Sequence, residues 1–67
     1  MKNRIKVLRA ELNISQDDLS KAVDVSRQTI NAIENGKFNP SVKLGIKISK
    51  IFNCSVEDVF QLEENEK

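Results

Sequence analysis

The chain has 67 residues, one cysteine, no histidine and a formal net charge of +1. That length suits one compact domain rather than two, and a domain so small buries only about 60% of the surface its unfolded chain exposes. One cysteine excludes an internal disulfide, and a lone cysteine without histidine excludes a recognisable metal set, so reinforcement is expected from helix packing, self-association or both.

The start, Met1-Lys2-Asn3-Arg4-Ile5-Lys6, is basic, but no apolar segment of signal-peptide type follows it. A first helix is predicted over roughly Asn3 to Leu12, with Ile5, Leu8 and Leu12 on one stripe and Asn13 as its stop. A second helix starts at Ser15, where Ser15-Gln16-Asp17-Asp18 resembles a capping box with Asp in place of the usual Glu. Leu19, Ala22 and Val23 form its expected inner face. Ser26 caps a third helix that runs to about Asn35, directs Ile30 and Ile33 inward, and ends at Gly36.

A fourth helix follows Asn39-Pro40-Ser41, with Ser41 as its cap. Val42, Leu44, Ile46, Ile48, Ile51 and Phe52 are too many for a narrow stripe, so this helix is expected to be the buried centre. Gly45 costs about 1 kcal/mol against alanine in a helix interior, which predicts the close approach of a neighbouring helix. Ser55-Val56-Glu57-Asp58 opens a short fifth helix. Phe60-Gln61-Leu62 could continue as a strand paired with the residues before the first helix. The fold class is therefore all-α, five short helices with a short two-stranded sheet joining the two ends. Residues 1–62 form the domain and residues 63–67 an acidic tail, expected to fray. No apolar run approaches the roughly 20 residues of a membrane span, which leads to the expectation of a soluble, cytoplasmic protein. The free Cys54 suits a reducing compartment.

Charge is unevenly placed. Residues 1–56 hold ten Lys/Arg against five Asp/Glu, and residues 57–67 hold one Lys against five acids. A basic body with an acidic end suits a polyanionic partner. The twenty residues from Gln16 to Asn35 supply two helices joined by a tight turn. Leu19, Val23, Val25, Ile30 and Ile33 give them a shared apolar face, and the small Ser20 lets them cross closely. The outward face of the third helix carries Arg27, Gln28, Thr29, Asn31 and Asn35, with no acid before Glu34. Arg to guanine, Gln or Asn to adenine, and a Thr methyl to thymine are the pairings of major-groove reading. Backbone N–H groups at the starts of the second and third helices are suited to holding phosphates.

These residues resemble the Cro/C1-type helix-turn-helix family of phage-repressor-like regulators. The resemblance rests on Ile14-Ser15-Gln16-Asp17-Asp18-Leu19, Val25-Ser26-Arg27-Gln28-Thr29-Ile30, Ile33-Glu34-Asn35-Gly36-Lys37 and Asn39-Pro40-Ser41, and spans about Ile5 to Phe60. The length and the Phe-Gln-Leu ending look like the single-domain, cytolysin-repressor-like members. The resemblance implies a prokaryotic regulator, a homodimer on double-stranded DNA at the nucleoid, with neither cofactor nor metal. It implies base reading by Arg27, Gln28 and Thr29, and backbone contacts by Gln16, Ser26, Asn31, Asn35, Lys37 and Asn39. It also implies a structural salt bridge between Arg9 and Glu34. Two positions depart from the family pattern. Asp24 stands where the family usually has glycine, in a turn that needs a left-handed backbone. Ala32 stands where some relatives carry a longer base-reading side chain, so any contact it makes is limited to a thymine methyl.

Phe60 and Leu62 are candidate dimer contacts, with packing against the first helix as the alternative. Phe38 is expected to pack on the fourth helix rather than stack on a base, and Cys54 to be a small, partly covered residue rather than a redox sensor. A repressor acting on a palindromic operator is the favoured reading. An antitoxin that binds its own promoter is the alternative, and would present an exposed apolar patch outside the third helix. The residues offer no catalytic constellation and no seat for a small-molecule ligand.

Overall fold

The computed structural model describes residues 1–66; of the acidic tail expected at residues 63–67, Lys67 lies outside the described residues. The elements are β1 (Lys2–Asn3), α1 (Ile5–Leu12), α2 (Gln16–Ala22), α3 (Arg27–Glu34), α4 (Val42–Ile51), α5 (Val56–Val59) and β2 (Phe60–Gln61), followed by a 3-10 turn at Glu64–Glu66. β1 and β2 pair antiparallel, with Lys2 opposite Gln61 and Asn3 opposite Phe60. The all-α reading with its small terminal sheet is the architecture found.

Four of the five helices begin at a serine. The hydroxyls of Ser15, Ser26, Ser41 and Ser55 each accept the N–H of the residue three positions on, at 2.9 to 3.1 Å. Asp18 and Asp58 return the bond to the Ser15 and Ser55 N–H groups, at 2.9 and 3.4 Å. Aspartate therefore closes both boxes despite being one methylene shorter than glutamate.

Four helices end at a left-handed residue, Asn13 (φ 57°), Asp24 (φ 59°), Gly36 (φ 72°) or Asn53 (φ 54°). After each, the next N–H bonds back into the last turn: Ile14 to the Arg9 carbonyl at 3.1 Å, Val25 to Ser20 at 3.0 Å, Lys37 to Ala32 at 2.9 Å and Cys54 to Ser49 at 3.0 Å. Such bonds occupy carbonyls that a helix end would otherwise leave orphaned. Asp24 thus adopts the left-handed conformation that glycine would take more easily.

The core joins Ile5, Leu8, Leu19, Val23, Ile30, Ile33, Leu44, Ile48, Phe52, Val59 and Phe60, with Ile14, Val25 and Cys54 partly covered at its edge. Several expectations are corrected. α1 begins at Ile5, because Asn3 belongs to β1 and its side chain bridges outward. Its Oδ1 accepts the Ile5 N–H at 3.2 Å, and its Nδ2 donates to the Ile33 carbonyl at the end of α3 at 2.9 Å. Leu12 is half exposed, since α1 stops there and Ile14, beyond the turn, packs on the core instead. Ala22 is exposed, and Ser20 takes the buried position, its hydroxyl satisfied by the Asp17 carbonyl at 2.8 Å.

α4 is not buried all round. Leu44, Gly45, Ile48 and Ser49 face inward, while Val42, Ile46 and Ile51 remain exposed. No helix presses on Gly45. A Cβ built there would lie 3.8 Å from the Phe60 ring, an ordinary contact distance. The buried Ser49 hydroxyl donates to the Gly45 carbonyl at 2.8 Å. Among the described residues, no helix is long and apolar enough to cross a membrane.

Candidate nucleic-acid interface

The turn Val23–Ser26 sets the direction of α3. Val23 is buried, Val25 is half-buried beneath the turn, and Ser26 starts the new helix with its hydroxyl on the Thr29 N–H. The inner side of α3 carries Ile30 and Ile33 into the core, which leaves Arg27, Gln28 and Asn31 exposed on the other side. Gln16, at the start of α2, lines one open groove with Arg27, Gln28 and Asn31. Arg9, Ser15, Gln16, Asp17 and Arg27 line its continuation. The face therefore draws on α1, α2 and α3 together.

A buried ion pair holds these helices in register. Arg9 Nε donates to Glu34 Oε2 at 2.7 Å and Nη2 to Oε1 at 3.1 Å, while Nη1 reaches the Ile14 carbonyl at 3.1 Å. The Glu34 side chain is 1% exposed and that of Arg9 16%. Gln16 Nε2 donates to the same carboxylate at 3.2 Å. The one acid of α3 is thus covered and paired, and presents no free charge to a polyanion.

Other side chains of the face are also pre-set. Asn35 Nδ2 donates to Asn31 Oδ1 at 3.0 Å, aligning two exposed amides one turn apart. The Ser26 and Thr29 hydroxyls lie 2.9 Å apart. Two acids of the first turn of α2 are engaged locally. Asp17 pairs with Lys21 at 3.1 Å. Asp18 is held below the ordinary aspartate range, first by the Ser15 backbone N–H and then by the Ser15 hydroxyl. Lys37 and Asn39 are exposed in the loop after α3.

Phe38, expected to pack on the fourth helix, stands outside the core cluster. It is 51% exposed and lines a groove with Ser26, Gln28, Thr29 and Ala32. Residue-type reasoning favours an aromatic that packs inward, and the aromatic that follows Lys37 gave no contrary sign. Phe60 is buried in the protomer core, whereas Leu62 is 60% exposed. Cys54 is half-buried, with its Sγ 3.3 Å from the Phe52 carbonyl. Among the described residues there is no group of His, Cys, Asp and Glu that could hold a metal ion.

A family model described as helix-turn-helix matches residues 5–59, most of the chain. The chain belongs to the Cro/C1-type helix-turn-helix family. Relatives match over nearly their full length. An uncharacterized HTH-type transcriptional regulator of Methanocaldococcus jannaschii is 53% identical over 66 residues, covering 98% of this chain and 100% of that protein. One from Archaeoglobus fulgidus is 48% identical over 66 residues, covering 98% of this chain and 93% of that protein. The uncharacterized HTH-type transcriptional regulator YgzD of Bacillus subtilis is 52% identical over 64 residues, covering 96% of this chain and 97% of its own. In this helix-turn-helix member, α2 and α3 are joined by the turn Val23–Ser26, where Asp24 takes the left-handed conformation.

Proposed function

We propose that this protein is a DNA-binding transcriptional regulator that acts as a repressor, a homodimer on a palindromic operator. The observation that carries the reading is the groove of Gln16, Arg27, Gln28 and Asn31, donor-rich and with the only acid of α3 turned into a buried ion pair. Arg27 and Gln28 read base edges, with Thr29 at the edge of the face. Gln16, Ser26, Asn31, Asn35, Lys37 and Asn39 contact the backbone, fixing register and making affinity salt-dependent. Two copies of α3 enter successive major grooves about 34 Å apart.

An apolar groove lined by Met1, Pro40, Val42, Gly45, Ile46, Val56 and Phe60 supports the homodimer. It shares no residue with the grooves around α3, so both surfaces can be used at once. Leu62 is the better dimer contact of the terminal pair, because Phe60 is already covered within its own protomer. The same apolar patch is what an antitoxin would offer a toxin. Sedimentation of the isolated protein separates the two readings, since a second copy needs no other partner.

The test of base reading is Arg27→Ala. Sequence preference is expected to vanish while weak, salt-sensitive binding to any duplex remains. Undiminished preference for duplexes selected by the wild-type protein would remove Arg27 from its role.

A further inference from the structure

Ala32 ends in a single methyl group, so at its position α3 reaches out less than it does at Arg27 or Gln28. Beside it stands Phe38, an aromatic ring that the protein leaves 51% exposed. Ala32, Phe38 and Thr29 line one open groove of about 270 Å³ together with Ser26 and Gln28. The Thr29 hydroxyl lies 2.9 Å from that of Ser26, which leaves the Thr29 methyl as its free group. The groove thus brings an alanine methyl, a threonine methyl and a phenyl ring together on the side of α3 that also carries Gln28. These are the apolar groups suited to the one apolar feature of the major groove, the 5-methyl of thymine.

Resting on the DNA-binding reading above, we infer that Phe38, Ala32 and Thr29 form a slot that receives the 5-methyl group of one thymine in each half-site. Phe38 is then a specificity-determining residue supplied from outside the recognition helix. The loop Asn35–Ser41 delivers it. Gly36 turns the chain with φ 72°, and the Lys37 N–H anchors to the Ala32 carbonyl at 2.9 Å, so the residue after Lys37 emerges beside Ala32. Gln28 on the same groove reads a neighbouring base edge. The combined preference is for a thymine next to the base that Gln28 selects.

Deoxyuracil tests this directly, because it differs from thymine only by the missing methyl. Duplexes are selected from a random pool with the wild-type protein, and each thymine of the selected half-site is then replaced in turn by deoxyuracil. At one thymine per half-site, wild-type affinity is expected to fall about fourfold, the effect of burying one methyl group. Phe38→Ala is expected to bind the thymine and uracil duplexes equally, and Phe38→Leu to keep part of the difference. The ring is half exposed, so both variants are expected to melt near the wild type by circular dichroism. A wild type indifferent to every replacement overturns the slot, as does a methyl preference that survives intact in Phe38→Ala. A wild type that enriches no sequence at all overturns the DNA-binding reading first, and the slot with it.

Discussion

Glu34 joins three helices through one carboxylate. It receives two bonds from Arg9 of α1 and one from Gln16 of α2, and its side chain is 1% exposed. Removing one partner of such a pair leaves the other charge buried and unpaired, which costs more than the pair contributes in comparison with an apolar substitute. Glu34→Ala is expected to lower stability by about 3 kcal/mol, the low end for a broken buried pair because Arg9 retains some solvent. In a domain of 67 residues that is a large share of the total. Urea denaturation followed by far-ultraviolet circular dichroism reads the change, and an unmoved midpoint would assign the pair no structural role. The Arg9–Glu34 pairing was visible in the sequence only through family resemblance. No spacing rule connects residues 25 apart in the chain. The bond from Asn3 to the end of α3 was not visible at all, because it depends on where the terminal sheet lies.

At the scale of elements the sequence was easier to read, for a local reason. Three junctions share one three-residue pattern: Asn13-Ile14-Ser15, Asp24-Val25-Ser26 and Asn53-Cys54-Ser55. In each, a left-handed residue ends one helix, a partly covered apolar residue plugs the turn, and a serine caps the next helix. Caps and turns act over three or four residues, so the sequence carries them openly. The exposure of Val42, Ile46 and Ile51 on α4 was hidden because periodicity counts apolar residues without distinguishing a protomer's own core from an outer face. Gly45→Ala meets nothing closer than the Phe60 ring at 3.8 Å, so it is expected to raise stability by up to about 1 kcal/mol, or up to about 7 °C in Tm. A lower Tm would mean that Phe60 cannot tolerate the added methyl.

The α2 cap adds a pH dependence. The Ser15 backbone N–H and hydroxyl depress the Asp18 carboxyl in the folded chain. A depressed folded value means that the contribution is complete above the unfolded value, about pH 4, and is lost as pH falls through the folded value below it. The Tm difference between wild type and Asp18→Ala is therefore expected to be constant from about pH 5 to 7 and to shrink below about pH 4. A difference unchanged at pH 3 would show that the carboxylate contributes nothing through its charge.

On the whole molecule, charge and apolar surface are arranged around α4. Lys43, Lys47 and Lys50 fall at helical spacing on one stripe, and α4 contains no acid. Val42 and Ile46, 81% and 42% exposed, form the adjacent stripe and line the apolar groove. Met1 lines the same groove, with its amino group 3.6 Å from Glu63 and 2.9 Å from Glu66. The groove thus has an apolar floor, bounded at Met1 by an amino group already paired with Glu63 and Glu66. In a two-fold interface the same patch of each copy meets its twin, so the apolar floors meet. This arrangement gives the proposed homodimer a specific test in Ile46→Glu, which puts a charged carboxylate where two such floors would join. The site is partly exposed, so the variant is expected to fold, as near-wild-type melting would establish. Sedimentation at micromolar concentration is expected to find it monomeric where the wild type is dimeric. Its DNA affinity is expected to fall, and its salt dependence to move toward half the wild-type slope, because a single protomer displaces about half the counterions. A variant that still sediments as a dimer would move the interface elsewhere on the protein, and a wild type that is monomeric both free and on DNA would end the dimer reading.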